Sequence, residues 1–391
     1  MKRIAIIGAG AAGCYCAAQL CQMKADAKIT VFEAGSKPLA KVAITGGGRC
    51  NLTNDFEGIR SLADAYPRGE RLMKRALKAF SNDDTIRWFT AQGVPCVLQD
   101  DHCWFPQSQD AMDVVRALLR AMKGVDLRLN TRITSIKTCS AHLYVNGEPF
   151  DAVVVTTGGA QRFPFLEGLG LEIVEPVPSL FTFNVPDAEL RTLMGLVVEV
   201  QVGLQGTPFK AEGPLLITDW GLSGPAVLKL SSYAARHLAD AGYKGTVGVN
   251  WLNASEAEVR ARLQEASARN PQKQVSNTPL LQQRLWGHLI RRAGLREDVR
   301  WAEVGSKGLN RLVAVLTNDT YAVSGKSKFR EEFVTAGGVA LSQLDLSTLE
   351  CKQHPGLYFA GEVLDVDAIT GGFNLQAAWS TAFICAKALA K

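Results

Sequence analysis

"RIAIIGAGAAG", residues 3–13, decides the fold. A short apolar run, Ile4 to Ile7, leads into Gly8-x-Gly10-x-x-Gly13. "CYCAAQLCQM" then reads as a helix, and "KITVFEA" as a second strand ending at Glu33. Each glycine has a task. Gly8 permits the tight turn out of the strand, Gly10 lets backbone approach a pyrophosphate, and Gly13 lets the helix pack closely on the strand. Ala11 and Ala12 open the helix, where unpaired amides and the positive dipole end favour an anion. Glu33 and Ala34 follow about 20 residues on, where a carboxylate accepts hydrogen bonds from ribose hydroxyls. An acid at 33 suits an unphosphorylated ribose, hence FAD or NAD rather than NADP.

The far end of the chain chooses between these two. "GLYFAGEVLDVDAITGGFNLQAAWSTAFICAKALAK", residues 356–391, reads as a short strand from Leu357 to Ala360, then Gly361-Glu362. A loop with Gly371-Gly372 and a final helix near Phe373, Asn374 and Leu375 follow. The same helix-terminus physics thus recurs at the opposite end of the chain. One cofactor long enough to meet both ends, FAD, explains both. Glu362 is placed for ribityl or ribose hydroxyls, and the amides near Phe373 and Asn374 for the flavin N1/C2=O edge.

"TGGGRCNLTN", residues 45–54, sets Gly46, Gly47 and Gly48 before a cation, a thiol and an amide. The glycines allow positive φ or close approach to a ligand. Arg49 can pair with a pyrophosphate or a bound acid. Asn51 can bond the flavin or cap the next turn. Cys50 has two readings: a small residue packed against the cofactor, or a redox or proton-donating thiol whose pKa Arg49 lowers.

Here the sequence resembles the BaiN/RdsA-type flavoproteins, also called aminoacetone-oxidase-family or NAD(P)/FAD-dependent oxidoreductases. The resemblance rests on "KVAITGGGRCNLTN" (41–54), "FPQSQDAMDVVRALLRAM" (105–122), "GPLLITDWGLSGPAVLKLS" (213–231), "TAGGVALSQLD" (335–345) and 356–380. It implies non-covalent FAD, a Rossmann-type domain and an inserted domain. The activities attributed to the family are enone reduction of steroids or bile acids and amine oxidation. Four positions depart from the family pattern. The loop after "VVVTTGGAQR" (153–162) is short, Asp219 stands where many members have histidine, Phe373 replaces a tyrosine, and Ala368 replaces a glycine.

Between these motifs, 71–91 and 109–123 read as amphipathic helices. In the second, Met112, Val115, Leu118, Leu119 and Met122 form the apolar face, Ser108 the cap and Gly124 the stop. "DLRLNTRITSI" (126–136) reads as a strand that brings Ile133 near an adenine. Asn146-Gly147 signals a type I′ hairpin. It returns to the strand Val153–Val155, whose end at Thr157, Gly158 and Gly159 is a second cofactor contact. Lys41 joins the cofactor-binding candidates. From about 180, short alternating runs suggest a β-barrel-like insert, with helices at 254–270 and 279–294 and a return strand in "RLVAVLTNDTYAVSGK" (311–326). Ser223 is expected to cap the helix that starts at Pro225. "GLSGP" is not a nucleophile elbow, because proline stands where that motif needs glycine.

The expected fold is therefore α/β. A Rossmann-like FAD domain comes from 1–180 and 335–391, a β-barrel-like insert from 181–250 and 305–334, and a helical subdomain from 251–304. The function expected is FAD-dependent hydride transfer with a small-molecule substrate, NAD(P)H being a transient donor because no second GxGxxG is present. The rivals are an amine oxidase using oxygen and a flavin-containing RNA-binding or RNA-modifying protein. Nine scattered cysteines without Cys-x-x-Cys or zinc spacing argue against disulfides and metal, and for a cytoplasmic protein. The glycines at the N-terminus argue against a signal peptide, and no apolar run reaches the ~18 residues of a membrane helix. A net charge of +5 with no Lys/Arg block disfavours nucleic acid. The arginines at 284, 291, 292, 296 and 300 are read as a solvated face, with steering of an anionic substrate as the alternative. Catalytic residues are not legible; Cys50 and Asp219 are the weak candidates.

Overall fold

The computed structural model describes residues 1–139, 142–326 and 334–391. Residues 140–141, in the expected hairpin, and 327–333, in the expected insert, lie outside the described residues. The chain divides into two compact units, Met1–Val177 with Val334–Lys391, and Pro178–Phe333.

The first unit is built on a seven-stranded sheet. Its five parallel strands lie in the order Leu357–Phe359, Ala152–Val155, Lys2–Ile7, Ala27–Phe32 and Asp126–Arg128. Ile4 pairs with Ile29 on one side and with Ala152 on the other. The strands Lys2–Ile7 and Ala152–Val155 are buried as continuous apolar runs, as parallel strands covered on both faces must be. The first strand is thus the point where strand order reverses, and in such sheets ligands bind beyond the carboxyl ends at that reversal. Helices Ala11–Gln22 and Phe373–Leu389 pack together over the sheet, with Tyr15 lodged between Trp379, Trp88 and Phe80.

Several local expectations change. The stretch 71–91 is two helices, Glu70–Ala79 and Asn82–Ala91, because Ser81 and Asp84 form a capping box that restarts the chain. The next helix runs Ala111–Ala121 and is capped by Asp110, whose carboxylate accepts from the Met112 amide; Ser108 instead accepts from the amide of Asp110. Met112 points outward, and Val114, Val115 and Leu118 are buried. The expected strand at 126–136 stops at Arg128. Asn146 and Gly147 both have positive φ between His142–Val145 and Glu148–Phe150, as a type I′ turn requires.

In the second unit seven antiparallel strands form one sheet. Val197–Leu204 alternates, with Val198, Val200, Val202 and Leu204 buried. Asp319–Val323 pairs with Gly245–Asn250 at one edge, and Gly325–Lys326 pairs with Phe183–Asn184 at the other. One bent run of chain therefore supplies both edges and closes the sheet in barrel fashion. The return strand expected at 311–326 is strand only from 319; helix Trp301–Asn318 precedes it. Leu312, Val313 and Leu316 are buried at helical spacing. Burying each is worth about 1.5–3 kcal/mol, whereas the strand preference of the two β-branched valines in this stretch spans about 1 kcal/mol at most. Ser223 lies in the strand Gly221–Ser223 and caps nothing; the helix Pro225–Tyr233 begins on Gly224 with Pro at its start. Among the described residues no helix is long and apolar enough to cross a membrane.

Candidate functional site

The first strand ends in a turn whose glycines divide the labour. A Cβ on Gly13 would fall 1.9 Å from the Gly8 carbonyl oxygen, so that position admits no side chain while the helix rests on the strand end. A Cβ on Gly10 would meet nothing within 4 Å. Gly13 thus serves the protein's own packing, and Gly10 borders open space. Helix Ala11–Gln22 starts on Gly10 with no side-chain cap, which leaves its first amides available to an acceptor. Thr156 locks this turn from the neighbouring strand, its hydroxyl lying 3.0 Å from the Ile7 and 2.9 Å from the Gly8 carbonyls.

Glu33 is fixed at the tip of its strand. Its carboxylate accepts from the amides of Ala9 at 2.9 Å and Gly35 at 2.7 Å, with Ala34 between. The Glu33 carbonyl accepts from the Thr131 amide at 2.7 Å, which draws 129–135, and with it the buried Ile133, alongside.

The 45–54 stretch answers to handedness. Gly46, Gly47 and Gly48 have φ of +59°, +69° and +83°, and Cys50 follows at +62°. L-residues pay for that conformation, so three glycines in a row let the chain reverse its sense. The side chains then fold inward or onto the protein. Arg49 lies over the Phe105 ring at 4.4 Å and donates to the Gly46 carbonyl at 3.2 Å. Cys50 is fully buried, and burial pushes its thiol pKa up. The expectation that Arg49 would lower it is overturned: desolvation outweighs the neighbouring cation, whose guanidinium is turned to Phe105. Asn51 binds the C-terminal motif, donating to the Thr53 carbonyl at 2.9 Å and accepting from the Gly372 amide at 3.1 Å. Asn54 donates to the Gly371 carbonyl at 3.1 Å.

The C-terminal motif closes the same face. The Gly361 amide donates to Thr381 at 3.0 Å. Glu362 accepts from the Thr335 amide at 2.9 Å and stands 3.6 Å from Lys41, while a Cβ on Gly159 would strike Thr335 and Glu362. Gly158 and Thr157 complete that edge. Helix Phe373–Leu389 starts on Gly372 without a side-chain cap. Asn374 spends its side chain on both backbone groups of Ala368; Leu375 is half-buried beside it. Arg68 and the buried Asp367 form a two-bonded ion pair beneath this loop, and Tyr66 donates to the Phe373 carbonyl at 2.9 Å.

The first unit thus gathers every expected cofactor-binding residue, from Gly8 to Leu375. Thr156, Thr335, Thr381, Arg68 and Gln376 were missed. Their signal was polar residues interrupting apolar strands and helices, which spacing rules do not interpret. Of the two catalytic candidates, Cys50 is in the first unit and Asp219 is exposed on a turn of the second. The arginines of the second unit are mostly neutralised: Arg291 by Glu297, Arg292 by Asp187 and Asp319, Arg296 by Asp298 and Glu303. Arg284 donates to the Thr192 carbonyl.

Two uncapped helix starts, one open glycine and a tethered carboxylate at the carboxyl ends of parallel strands fit a dinucleotide. Residues 2–388 match the family model described as the HI0933-like protein Rossmann domain. The chain belongs to this family. The family member here is 31% identical to the ribosomal RNA dihydrouridine synthase of Escherichia coli, over 98% of this chain and 97% of that protein. It is 26% identical to the 3-dehydro-bile acid delta(4,6)-reductase of Clostridium scindens, over the whole of both chains. Its fold is that of the 3-ketosteroid delta1-dehydrogenase of Sterolibacterium denitrificans, with a TM-score of 0.50 at 13% identity over both full chains.

Proposed function

We propose that this protein is an FAD-dependent reductase that adds hydride and a proton across a carbon–carbon double bond conjugated to a carbonyl, with uridine in RNA as its substrate. The observation that carries the reading is the pair of uncapped helix starts flanking one parallel-sheet edge. The names of the two relatives add the chemistry. Uracil and a 3-oxo-4,6-diene share one electrophilic pattern, a double bond polarised by a carbonyl. The RNA reading takes precedence because the relative named for it is the more similar. That relative outweighs the compositional expectation against nucleic acid, which addressed contiguous basic blocks only.

Residues Gly8 to Gly13 and the first amides of Ala11–Gln22 would hold the pyrophosphate, and Glu33 the adenosine ribose. Glu362 and Lys41 would meet the ribityl chain. The amides at Phe373, Asn374 and Leu375 would face the flavin's N1/C2=O edge, where their partial positive charge favours electron-rich flavin. When bound, FAD supplies the hydride transfer. The Asn51–Gly372 and Asn54–Gly371 bonds fix the approach of the 46–51 segment to that edge. Cys50, sealed and neutral, is taken as packing rather than proton donor; Asp219 is kept as the proton-handling candidate. NAD(P)H is proposed as the electron donor.

The test is anaerobic. FAD-reconstituted protein is reduced with NADPH or NADH and then offered uridine-containing ribosomal RNA, a 3-oxo-4-ene steroid, or an amine with oxygen. Bleaching by the nicotinamide and recovery with RNA is the expected result. Recovery with the steroid alone moves the reading to enone reduction of small molecules. Reduction by an amine and rapid reoxidation in air gives the oxidase. No flavin band after reconstitution overturns the cofactor.

A further inference from the structure

The second unit carries a cleft of about 380 Å³ that the reading above does not use. Its floor is Val197–Leu204 and Gly245–Asn250, and its walls are the 205–209 hairpin tip, the 250–256 turn and the end of helix Trp301–Asn318. These walls are held in place. Asn250 donates to the Ala254 carbonyl at 2.8 Å and accepts from the Leu252 and Ala254 amides. Thr207 ties the hairpin, donating to the Leu204 carbonyl and accepting from the Phe209 amide. Gln201 is bonded across the strands to Glu212 at 2.8 Å.

At the centre, the Gln205 amide nitrogen donates to the Asn318 side-chain oxygen at 2.9 Å. That bond leaves Gln205 Oε1, an acceptor, beside Asn318 Nδ2, a donor, and neither meets a partner among the described residues. A Cβ on Gly248 would fall 2.2 Å from both carboxamides. Glycine at 248 is therefore what lets the pair lie across the strand. Phe209 adds an aromatic wall and Lys210 an exposed cation at the rim.

An acceptor next to a donor on a fixed base is the complement of a nucleobase's Watson–Crick edge. Aromatic stacking, edge hydrogen bonds and a cation for the phosphate are together how single-stranded RNA bases are held. The volume is in the range of small-ligand sites. We propose that this cleft binds an unpaired nucleotide of the RNA substrate, with the Gln205–Asn318 pair reading the base edge, Phe209 against the ring and Lys210 at the phosphate. The proposal rests on RNA being the substrate class.

The test is fluorescence anisotropy of a labelled short oligouridylate, with an abasic oligomer of equal charge as control. Gln205→Ala and Asn318→Ala, both at exposed positions, and Gly248→Ala are compared with the parent protein, and thermal melts verify folding. The parent is expected to bind oligouridylate in preference to the abasic strand. Each variant is expected to weaken oligouridylate binding about tenfold, the loss of one or two hydrogen bonds, and to raise the KM for RNA without changing kcat. Equal binding of the abasic strand, or unchanged affinity in folded Gln205→Ala and Asn318→Ala, overturns the proposal. The substrate reading fails separately, if RNA never reoxidises the reduced flavin. Oligouridylate binding then still decides the cleft.

Discussion

Gly13 and Gly10 share one motif but answer to different constraints. At Gly13 a single methyl group meets the Gly8 carbonyl at 1.9 Å and Thr156 Oγ1 at 2.6 Å. Gly13→Ala is expected to force the helix off the strand end, costing about 3 kcal/mol, the upper range for overpacking, and to abolish FAD retention. A thermal melt and the flavin absorbance of the purified variant check this; an unchanged melting temperature with full flavin would refute it. Cys50 shows the opposite case, a residue whose neighbourhood in sequence misleads. Arg49 is adjacent in the chain, yet its guanidinium lies on Phe105 while the thiol is sealed inside. Burial decides the thiol's chemistry, and burial has no signature in a tripeptide.

At the scale of elements, two buried networks carry the architecture. In the first unit, Gln376 on the last helix accepts from Thr53 at 2.6 Å and Thr85 at 2.8 Å and donates to Ser380 at 2.9 Å. It thereby joins the strand Thr53–Asn54 and helix Asn82–Ala91 to the helix start that faces the site. Gln376→Leu keeps the volume and strands these hydroxyls. Each buried group left unsatisfied costs about 1–3 kcal/mol, so a loss of several kcal/mol is expected in urea unfolding; a loss below ~1 kcal/mol would mean the network is slack. In the second unit, buried His288 stands 3.4 Å from the Tyr321 hydroxyl, with Asp319, Arg292, Asp187 and Glu189 around it. Burial lowers the His288 pKa, against the partial opposition of these acids. The unfolded chain then binds a proton at His288 that the folded chain refuses. Stability from this group is therefore constant above the ordinary histidine value of about 6.5 and falls as pH drops below it. His288→Gln is expected to flatten that decline in melts between neutral and mildly acidic pH. An identical slope in the variant would assign the decline to other groups.

For the molecule as a whole, the candidate site is assembled from segments at both ends of the chain, within one unit. FAD binding is accordingly expected to slow hydrogen exchange together at 8–13, 33–35, 46–51, 157–159 and 361–375. It should stabilise the holoprotein by about 2.7 kcal/mol when FAD is present at a hundredfold excess over its Kd. Protection confined to 8–13 and 33–35 would mean a mononucleotide site and would sink the FAD assignment.

The parallel-sheet turn, the type I′ hairpin and the alternating strands of the second unit were legible because each is a local rule. Glycine spacing, Asn-Gly and period-two burial act within a few residues. Boundaries were less legible where two local preferences competed, as at 311–318, where helical burial of Leu312, Val313 and Leu316 prevailed over strand-favouring residues. What the residues alone determined is that a dinucleotide-type turn stands at each end of the chain. Only the tertiary structure decided that Asn51 meets Gly372, that Cys50 is sealed, that the basic helices are neutralised by their own acids, and that Gln205 lies beside Asn318. These are contacts between residues far apart in sequence or orientations set by burial, and their energies exist only once the chain has closed around them.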